Sequence, residues 1–485
     1  MKGTPLFKLK EYGTNARTEI IAGLTMFAAM AYIIPVNASI LGQTGIPAGS
    51  VVLATCIAAA AGSLLMAFWA NVPYGMAPGM GLNAFFTFTV VFALGFTWQQ
   101  ALAMVFLSGV IDLIVTATGI RKHIVASLPK ALRAAMGVGI GLFIAYIGIK
   151  DAGLLSFTVS PPDPGFPPNW FAIPPTGIDP TTTTIVGNAS TVPAIVGINT
   201  TALILAVIAI ALTIVLYVMK VPGAILISII AMTVVAAPFG LVTIDFGSYF
   251  GTLGQSFADL GSVFGQAFIS IPSLFADPTK IVLAIATIFA FSMTGLFDEL
   301  GTSLGLGRAT GIFSEEEIDS VAQVKGFSTR FARSLVPPSI ATMFGSLFGT
   351  SNTTTYVESS AGIAAGGKSG ATAATTGTLF LASILLAPLA MAVPSLATAP
   401  ALIMVGALMI RPVKDIDWTD MEASIPAFLA IAVMPFAYSI TTGIAVGVIF
   451  YCLIKLVRGK LKEIHPVLAV IALLFVAYFV NMALA

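Results

Sequence analysis

The chain has very little charge: Asp, Glu, Lys and Arg make up 9% of its 485 residues, whereas hydrophobic residues make up 57%. A soluble domain carries roughly a quarter charged residues, so this composition excludes an ordinary soluble fold. The formal net charge is only +1, and such a balance offers no basic surface to a nucleic acid. The sequence therefore predicts a membrane protein, surrounded by lipid, with no nucleic acid partner.

Cysteine and histidine are equally scarce. Cys56 and Cys452 lie in separate apolar segments far apart in the chain, which fits buried thiols better than a disulfide or a metal site. His123 and His465 lie at the edges of apolar runs, away from the acidic residues discussed below. No metal cluster or histidine-based catalytic pair can be identified. We therefore expect no cofactor, and a membrane enzyme is the remote alternative.

Long apolar runs recur along the whole chain. The run ALILAVIAIALTIVLYV (202–218) is apolar on every face, which fits a helix and not the alternating pattern of a membrane β-barrel. A bilayer core of roughly 30 Å needs about 20 helical residues for each crossing. We predict an all-α polytopic fold of about fourteen spans, with the last run either a further crossing or partly interfacial. The predicted runs are 18–41, 51–69, 77–92, 99–119, 134–149, 197–219, 222–243, 280–300, 334–349, 354–366, 371–393, 397–411, 423–437, 439–457 and 466–484.

Basic residues concentrate in alternate connections, and Lys and Arg near the ends of spans favour the cytoplasmic side. This pattern predicts a cytoplasmic N-terminus in a plasma (inner) membrane protein. The connection 155–195, rich in Pro and Thr, would then be an extended outer flap. The basic segments are the N-terminal arm, Arg121, Lys122, Lys130, Arg133, Lys220, 308–333, Arg411, Lys414 and 455–462.

The segment 243–279 separates the first seven spans from about seven more, so the two halves would start on opposite sides of the membrane. This indicates two inverted repeats, residues 1–245 and 246–485. Span 3 opens with YGMAPGMGLNAFF (74–86) and span 10 with GTSNTTTYVESSAGI (349–363), both rich in helix breakers or small polar residues. Paired interrupted helices are typical of the midplane binding site of a transporter.

Few ionisable residues fall inside the spans: Asp112, Asp298, Glu299 and Glu358. A central Asp costs about 2.5–3.5 kcal/mol of insertion free energy, so each acid needs a function or a buried partner. Asp298 and Glu358 lie beside glycine-marked breaks, which favours a functional role. For Asp112 and Glu299, a structural role in orienting helices is the stronger alternative.

Asn83 is the polar centre of span 3, and its amide offers two hydrogen-bond donors and one acceptor. The alternative role for Asn83 is an interhelical hydrogen bond. Phe85 could stack on a planar ring, although an aromatic residue in a membrane helix is more often packing.

Several strings resemble AzgA-like purine nucleobase permeases, and the similarity spans almost the whole chain. This resemblance implies the fold of the uracil permease, with a core domain, a gate domain of spans 5–7 and 12–14, and a site between spans 1, 3, 8 and 10. It further implies proton symport of purine bases and, by analogy of fold alone, a homodimer. The strings are GLTMFAAMAYIIPVNASIL (23–41), PGMGLNAFF (78–86), GVGIGLFIAYIGIKDAG (137–153), LFDELGTSLG (296–305), TTTYVESSAGIAAGGKSGATA (353–373) and ATAPALIMVGALM (397–409).

Carried over residue by residue, Asn83, Asp298 and Glu358 match the polar positions of the family, and Phe85, Thr302 and Ser359 complete the predicted substrate contacts. The chain departs from the family at two places. Glu299 stands where the family typically has Thr, and RSLVPPSIATMFG (333–345) places a proline pair in span 9. Both changes bear on substrate preference and coupling stoichiometry.

A purine base is neutral and edged with N–H donors and ring-nitrogen acceptors, so a carboxylate and an amide suffice to bind its edge. We expect Glu358 to accept N–H groups, with Asn83 and Asp298 assisting. Burial raises the pKa of a carboxyl group, so Glu358, Asp298 or Glu299 would carry the coupling proton, with sodium as an alternative ion. The main alternative function is anion exchange on the same fold, which would use half-helix N-termini to hold the anion.

Overall fold

The architecture is taken from a computed structural model, which describes residues 7–118, 129–159, 191–242, 247–278, 280–313, 317 and 329–484. Within these residues the chain forms twenty α-helices and four short strands. In chain order they are α1 (Ala16–Met30), α2 (Ile33–Leu41), α3 (Ala48–Leu65), β1 (Met76–Pro78), α4 (Met80–Ala84), α5 (Trp98–Thr118), α6 (Lys130–Asp151), β2 (Leu155–Val159), β3 (Thr191–Ile195), α7 (Thr201–Val218), α8 (Ala224–Ala236), α9 (Tyr249–Val263), α10 (Gln266–Ile269), α11 (Ile281–Thr310), α12 (Arg330–Ser334), α13 (Pro337–Phe348), β4 (Thr353–Thr355), α14 (Ser359–Ala364), α15 (Gly370–Ala382), α16 (Ala387–Met391), α17 (Ser395–Met409), α18 (Met421–Phe436), α19 (Ile440–Val457) and α20 (Pro466–Leu484).

Nine helical segments in the described part of the chain are long and apolar enough to cross a bilayer, and three shorter apolar helices accompany them. The predicted all-α polytopic fold is confirmed, while the number of fourteen spans stays a prediction. The nine segments are Ala16–Thr44, Ala48–Ala70, Trp98–Thr118, Lys130–Asp151, Thr201–Val218, Ile281–Ser303, Gly370–Met391, Ser395–Asp415 and Ile440–Val457.

Local sequence explains several helix starts. The side chain of Asn15 accepts a hydrogen bond from the Thr18 amide at the start of α1, and Ser369 does the same for Ala371 at the start of α15. The proline pair of span 9 opens α13, where Pro337 occupies the first turn and its missing N–H costs nothing. The helix predicted for span 9 therefore forms despite the two prolines.

Spans 3 and 10 are interrupted, as the sequence predicts. In span 3, β1 leads into α4, which continues as a π-helix over Phe85–Ala93. In span 10, β4 precedes α14. The two strands pair antiparallel, with Ala77 opposite Thr354. A further break at residues 31–32 separates α1 from α2, so the run predicted as one span of 18–41 is also divided.

The helices pack in two groups. One contains α1, α3, α5, α11, α13 and α15 together with both interrupted spans, and the other contains α6, α7, α8, α17, α18 and α19. Within the second group α6 and α17 approach so closely that a Cβ added to Gly406 would lie 2.4 Å from the carbonyl oxygen of Gly141. The groups correspond to the expected core and gate domains. The inverted repeats 1–245 and 246–485 stay a prediction.

The connection 155–195, predicted as an extended flap, has paired strands at its two ends. Strands β2 and β3 form an antiparallel pair in which Leu155 lies opposite Ile195. The middle of the connection, 160–190, lies outside the described residues. Backbone pairing at both ends explains the difference, since the extended conformation expected from Pro and Thr is also the conformation of a strand.

Candidate substrate site

The two interrupted spans are clasped together by backbone hydrogen bonds. Beyond the β1–β4 pair, the amide of Gly79 donates to the carbonyl oxygen of Asn352 at 2.9 Å. The amide of Tyr356 donates to the carbonyl oxygen of Gly75 at 3.0 Å. The hydroxyl of Ser359 accepts from the Gly75 amide at 3.0 Å. This clasp brings the starts of α4 and α14 side by side at the centre of the core group.

Glu358 is the residue immediately before α14, and it is half-buried. Its Oε1 accepts a hydrogen bond of 2.6 Å from the hydroxyl of Tyr32, which lies in the break between α1 and α2. The carboxylate makes no capping bond to its own helix. The acid of span 10 is therefore held by span 1 and keeps part of its surface accessible.

Asp298 lies on α11 and is half-buried. The side chain of Thr354, in β4, hydrogen-bonds to it, and the carboxyl group lies within electrostatic range of Glu299 and Glu358. The acids predicted from spans 8 and 10 therefore belong to one region. Tyr32 donates to Glu358, and Thr354 donates to Asp298. Both donors are neutral hydroxyl groups.

Asn83 is fully buried in α4. Its Oδ1 accepts a hydrogen bond from the hydroxyl of Ser351, which precedes β4. Its Nδ2 is buried with no hydrogen-bond partner among the described residues. The acceptor of the amide is thus used within the protein, whereas its donor group has no protein partner among these residues.

Comparison with known proteins shows the family. The profile of the permease family Xan_ur_permease matches residues 17–170 and 181–446. The chain belongs to this permease family. It is 37% identical over 483 residues to the guanine/hypoxanthine permease PbuG of Bacillus subtilis, with 98% of each chain covered. It is 36% identical over 471 residues to the adenine permease AdeP of Escherichia coli, with 97% of this chain and 94% of AdeP covered. The resemblance to nucleobase permeases is confirmed.

Solved structures agree on the fold. The transmembrane domain of the cyanobacterial bicarbonate transporter BicA superposes with a TM-score of 0.55 at 14% identity, covering 89% of the permease and 97% of that domain. SLC26A9 superposes with a TM-score of 0.54 at 13% identity, covering 93% of the permease and 66% of SLC26A9. At these identities the likeness concerns architecture alone.

Glu299 of the permease is hydrogen-bonded to β4, one of the two strands that join the interrupted spans. It is 3% exposed, and it accepts hydrogen bonds from the Ser303 hydroxyl at 2.6 Å and from the amide and hydroxyl of Thr355, both at 3.0 Å. Thr302 lies half-buried on the same helix. These contacts support the structural role considered for Glu299, whose charge-assisted bonds join α11 to β4.

Phe85 is fully buried, and its ring lies 4.5 Å from that of Phe291 on α11, measured between centroids. This contact fits the packing role that the sequence analysis gives as the more common one for an aromatic residue in a membrane helix. A role for Phe85 in stacking on a substrate stays a prediction.

Two buried polar residues, Tyr32 and Glu19, are not predicted from the sequence. The signal for Tyr32 is a phenol in an apolar run three residues before Pro35, which marks a polar break. Glu19 is fully buried and accepts hydrogen bonds from the amides of Lys368, Ser369 and Thr372 at the start of α15. The signal for Glu19 was weak because the acid lies at the end of its span.

Proposed function

We propose that the permease imports purine nucleobases by proton symport and binds the base between Glu358, Asp298 and Asn83. The observation that carries this proposal is the pairing of the half-buried Glu358 with Tyr32 at a helix break, beside a second acid. An intramembrane acid that is hydrogen-bonded to a polar side chain and partly accessible is typical of substrate and proton pathways.

The proposed contacts follow from the chemistry of a purine edge. Glu358 accepts N–H groups of the base, while the buried Nδ2 of Asn83 donates to a ring nitrogen. Asp298 supplies a second polar contact. Thr302, which is half-buried, and Ser359, whose hydroxyl accepts from the Gly75 amide, stay predicted substrate contacts. The named activities of PbuG and AdeP support the substrate class without selecting one purine.

The proposed driving force is the proton gradient. One proton crossing 100 mV is worth about 2.3 kcal/mol, which supports roughly fifty-fold accumulation of a neutral solute. Glu358 and Asp298 are the first candidates for the proton, because Glu299 already accepts three hydrogen bonds, from Ser303 and Thr355. The N-terminus is placed in the cytoplasm, the membrane is the plasma (inner) membrane, and the oligomer is a homodimer; all three belong to the proposal.

The test is uptake of radiolabelled guanine, hypoxanthine, adenine and uracil into proteoliposomes, with and without an inward pH gradient. We expect gradient-driven uptake of at least one purine and a loss of at least ten-fold in Glu358→Gln and Asp298→Asn. Asp417→Asn, at an exposed acid between α17 and α18, is the matched control and should transport like the wild type. Uptake at the wild-type level in both Glu358→Gln and Asp298→Asn would show that the proposed site is wrong.

Anion exchange is examined in the same vesicles. Its support is the shared fold with BicA and SLC26A9, whereas two acids at the centre of the site oppose an anionic substrate. Exchange of labelled bicarbonate or chloride in the absence of any nucleobase uptake would replace the purine assignment. Purine uptake driven by a sodium gradient at equal pH would keep the substrate and change the ion.

A further inference from the structure

A small polar cavity lies behind the candidate substrate site, where α5, α11 and α13 meet the chain before β4. Its volume is about 10 Å³, which is the space of one water-sized sphere. Its polar walls are Asp112, Glu299, Ser339, Thr342, Asn352 and Thr353. Glu299 and the neighbouring Pro338 are the two places where the sequence departs from the family, so both departures meet in one cavity.

Asn352 lines this cavity and carries an unpaired acceptor. The residue is 1% exposed, and its Nδ2 donates to the hydroxyl of Ser108 at 3.0 Å. Its Oδ1 has no hydrogen-bond partner among the described residues. An unpaired buried acceptor destabilises a protein by about 1–3 kcal/mol, so its presence indicates a ligand that interacts with oxygen.

Asp112 converges on the same space from α5. It is 5% exposed, and its Oδ1 accepts a hydrogen bond from Ser292. A Cβ built on Gly295 would lie 3.5 Å from the Oδ2 of Asp112 and 3.7 Å from the Nδ2 of Asn352. The absent side chain of Gly295 therefore leaves room where the carboxylate and the amide come together.

The cavity is rich in negative charge and in oxygen atoms. Two carboxyl groups line it, those of Asp112 and Glu299, and no Lys, Arg or His is among its lining residues. Carboxylate, amide and hydroxyl oxygens are the ligands of hard cations. The described residues contain no group of three or more His, Cys, Asp or Glu suited to a metal, which disfavours a divalent ion.

We infer that this cavity binds one small monovalent cation of the sodium class, coordinated by Asp112 and the Oδ1 of Asn352, with Glu299 contributing negative charge. Thr354 lines the cavity and also hydrogen-bonds to Asp298. An ion bound here changes the electrostatic potential beside the substrate site. The inference does not depend on which solute the permease transports.

The test is the melting temperature of the purified permease in NaCl, KCl and choline chloride at equal ionic strength. A ligand that binds only the native state raises stability with its concentration, so NaCl should raise the melting temperature progressively above that in choline chloride. Asp112→Asn should abolish the rise. Glu358→Gln, which alters the substrate site, should keep it while losing purine uptake, so that failure of the ion site and failure of the proposed function are distinguished.

Gly295→Ala is a second variant that does not remove charge. Its methyl group meets the surrounding atoms at ordinary contact distances and occupies the cavity, and alanine favours a helix. We expect it to fold and to weaken equilibrium binding of ²²Na⁺ by at least ten-fold. Equal melting temperatures in the three salts for the wild type would overturn the inference, as would a sodium effect that persists in both Asp112→Asn and Gly295→Ala.

Discussion

Tyr32 donates its phenolic hydroxyl to the Oε1 of Glu358 across 2.6 Å and thereby joins the break between α1 and α2 to the start of α14. A hydrogen bond to a charged group contributes about 1.5–3 kcal/mol. Because this bond fixes the orientation of the carboxyl group, it also fixes which of its oxygens can meet a substrate. Span 1 is therefore part of the site through one hydroxyl group.

Tyr32→Phe removes this bond and keeps the ring. We expect purine uptake at a subsaturating concentration to fall about ten-fold or more, because the carboxylate loses its fixed orientation. Uptake kinetics in proteoliposomes measure the change. Tyr74→Phe is the matched control, since Tyr74 is equally buried but donates to a backbone carbonyl, that of Ser303, at 3.3 Å. Equal losses in the two variants would indicate a general packing defect.

Asn83→Asp replaces the unpartnered Nδ2 with an oxygen. If that group donates to a ring nitrogen of the base, uptake of the parent purine should fall at least ten-fold. Deaza analogues, in which a ring nitrogen is replaced by carbon, identify the atom concerned. The analogue that lacks the contacted nitrogen should bind the wild type and the variant almost equally.

Ser351→Ala serves as the control for Asn83, because it removes the bond to Oδ1 and leaves Nδ2 in place. We expect a smaller effect on uptake than that of Asn83→Asp. Unchanged discrimination between the purine and all of its deaza analogues in Asn83→Asp would contradict a direct contact.

Glu19→Gln should lower stability without altering substrate preference. Besides three backbone amides, the Glu19 carboxylate accepts the Thr372 hydroxyl at 2.6 Å, and a negative charge at a helix N-terminus is favourable. We expect a loss of about 1–3 kcal/mol in the free energy of unfolding. Thermal denaturation of purified protein measures it. The exposed Glu11→Gln should melt like the wild type, and a shared shift would contradict the assigned role.

Gly406→Ala tests a close helix contact within the gate group. The added Cβ would meet the carbonyl oxygen of Gly141 at 2.4 Å and the Cβ of Ala145 at 2.8 Å, so α6 and α17 must separate. We expect a lower melting temperature and reduced yield of folded protein. Gly137→Ala on α6 has nothing within 4 Å of its Cβ and should be neutral. A neutral Gly406→Ala would show that the two helices are free to adjust.

Hydropathy alone predicts the helical class, because a bilayer requires long apolar helices whatever the packing. The interruptions of spans 3 and 10 are also predictable, since Pro78, Gly79 and the polar run before Glu358 cannot sustain a regular apolar helix. The pairing between those two interruptions is not predictable from the sequence, because strands of three residues carry no periodic signal. The break at Tyr32 has a local signal in Pro35, but its bond to Glu358 has none, because the two residues lie 326 positions apart in the chain.

The roles of individual acids were harder to predict than their positions. Insertion cost marks Asp112, Asp298, Glu299 and Glu358 equally. The glycine-marked breaks favour a functional role for Asp298 and Glu358, but the hydrogen-bond partners of each acid are visible only in the tertiary structure. Glu299 is engaged by Ser303 and Thr355, whereas Glu358 remains half-buried. The sequence shows which charged residues carry an insertion free-energy cost. The hydrogen-bond partners that offset this cost come from distant segments, so the sequence does not identify them.

The antiparallel β1–β4 pair constrains how this chain can change through mutation. Successive side chains of a strand point to opposite faces, so a shift of one residue in the register would turn Thr354 away from Asp298. The same shift would displace both Asn83 and Glu358, which follow the two strands along the chain. We therefore expect an insertion or deletion in one strand alone to disrupt the candidate site, whereas substitution of side chains leaves the register intact.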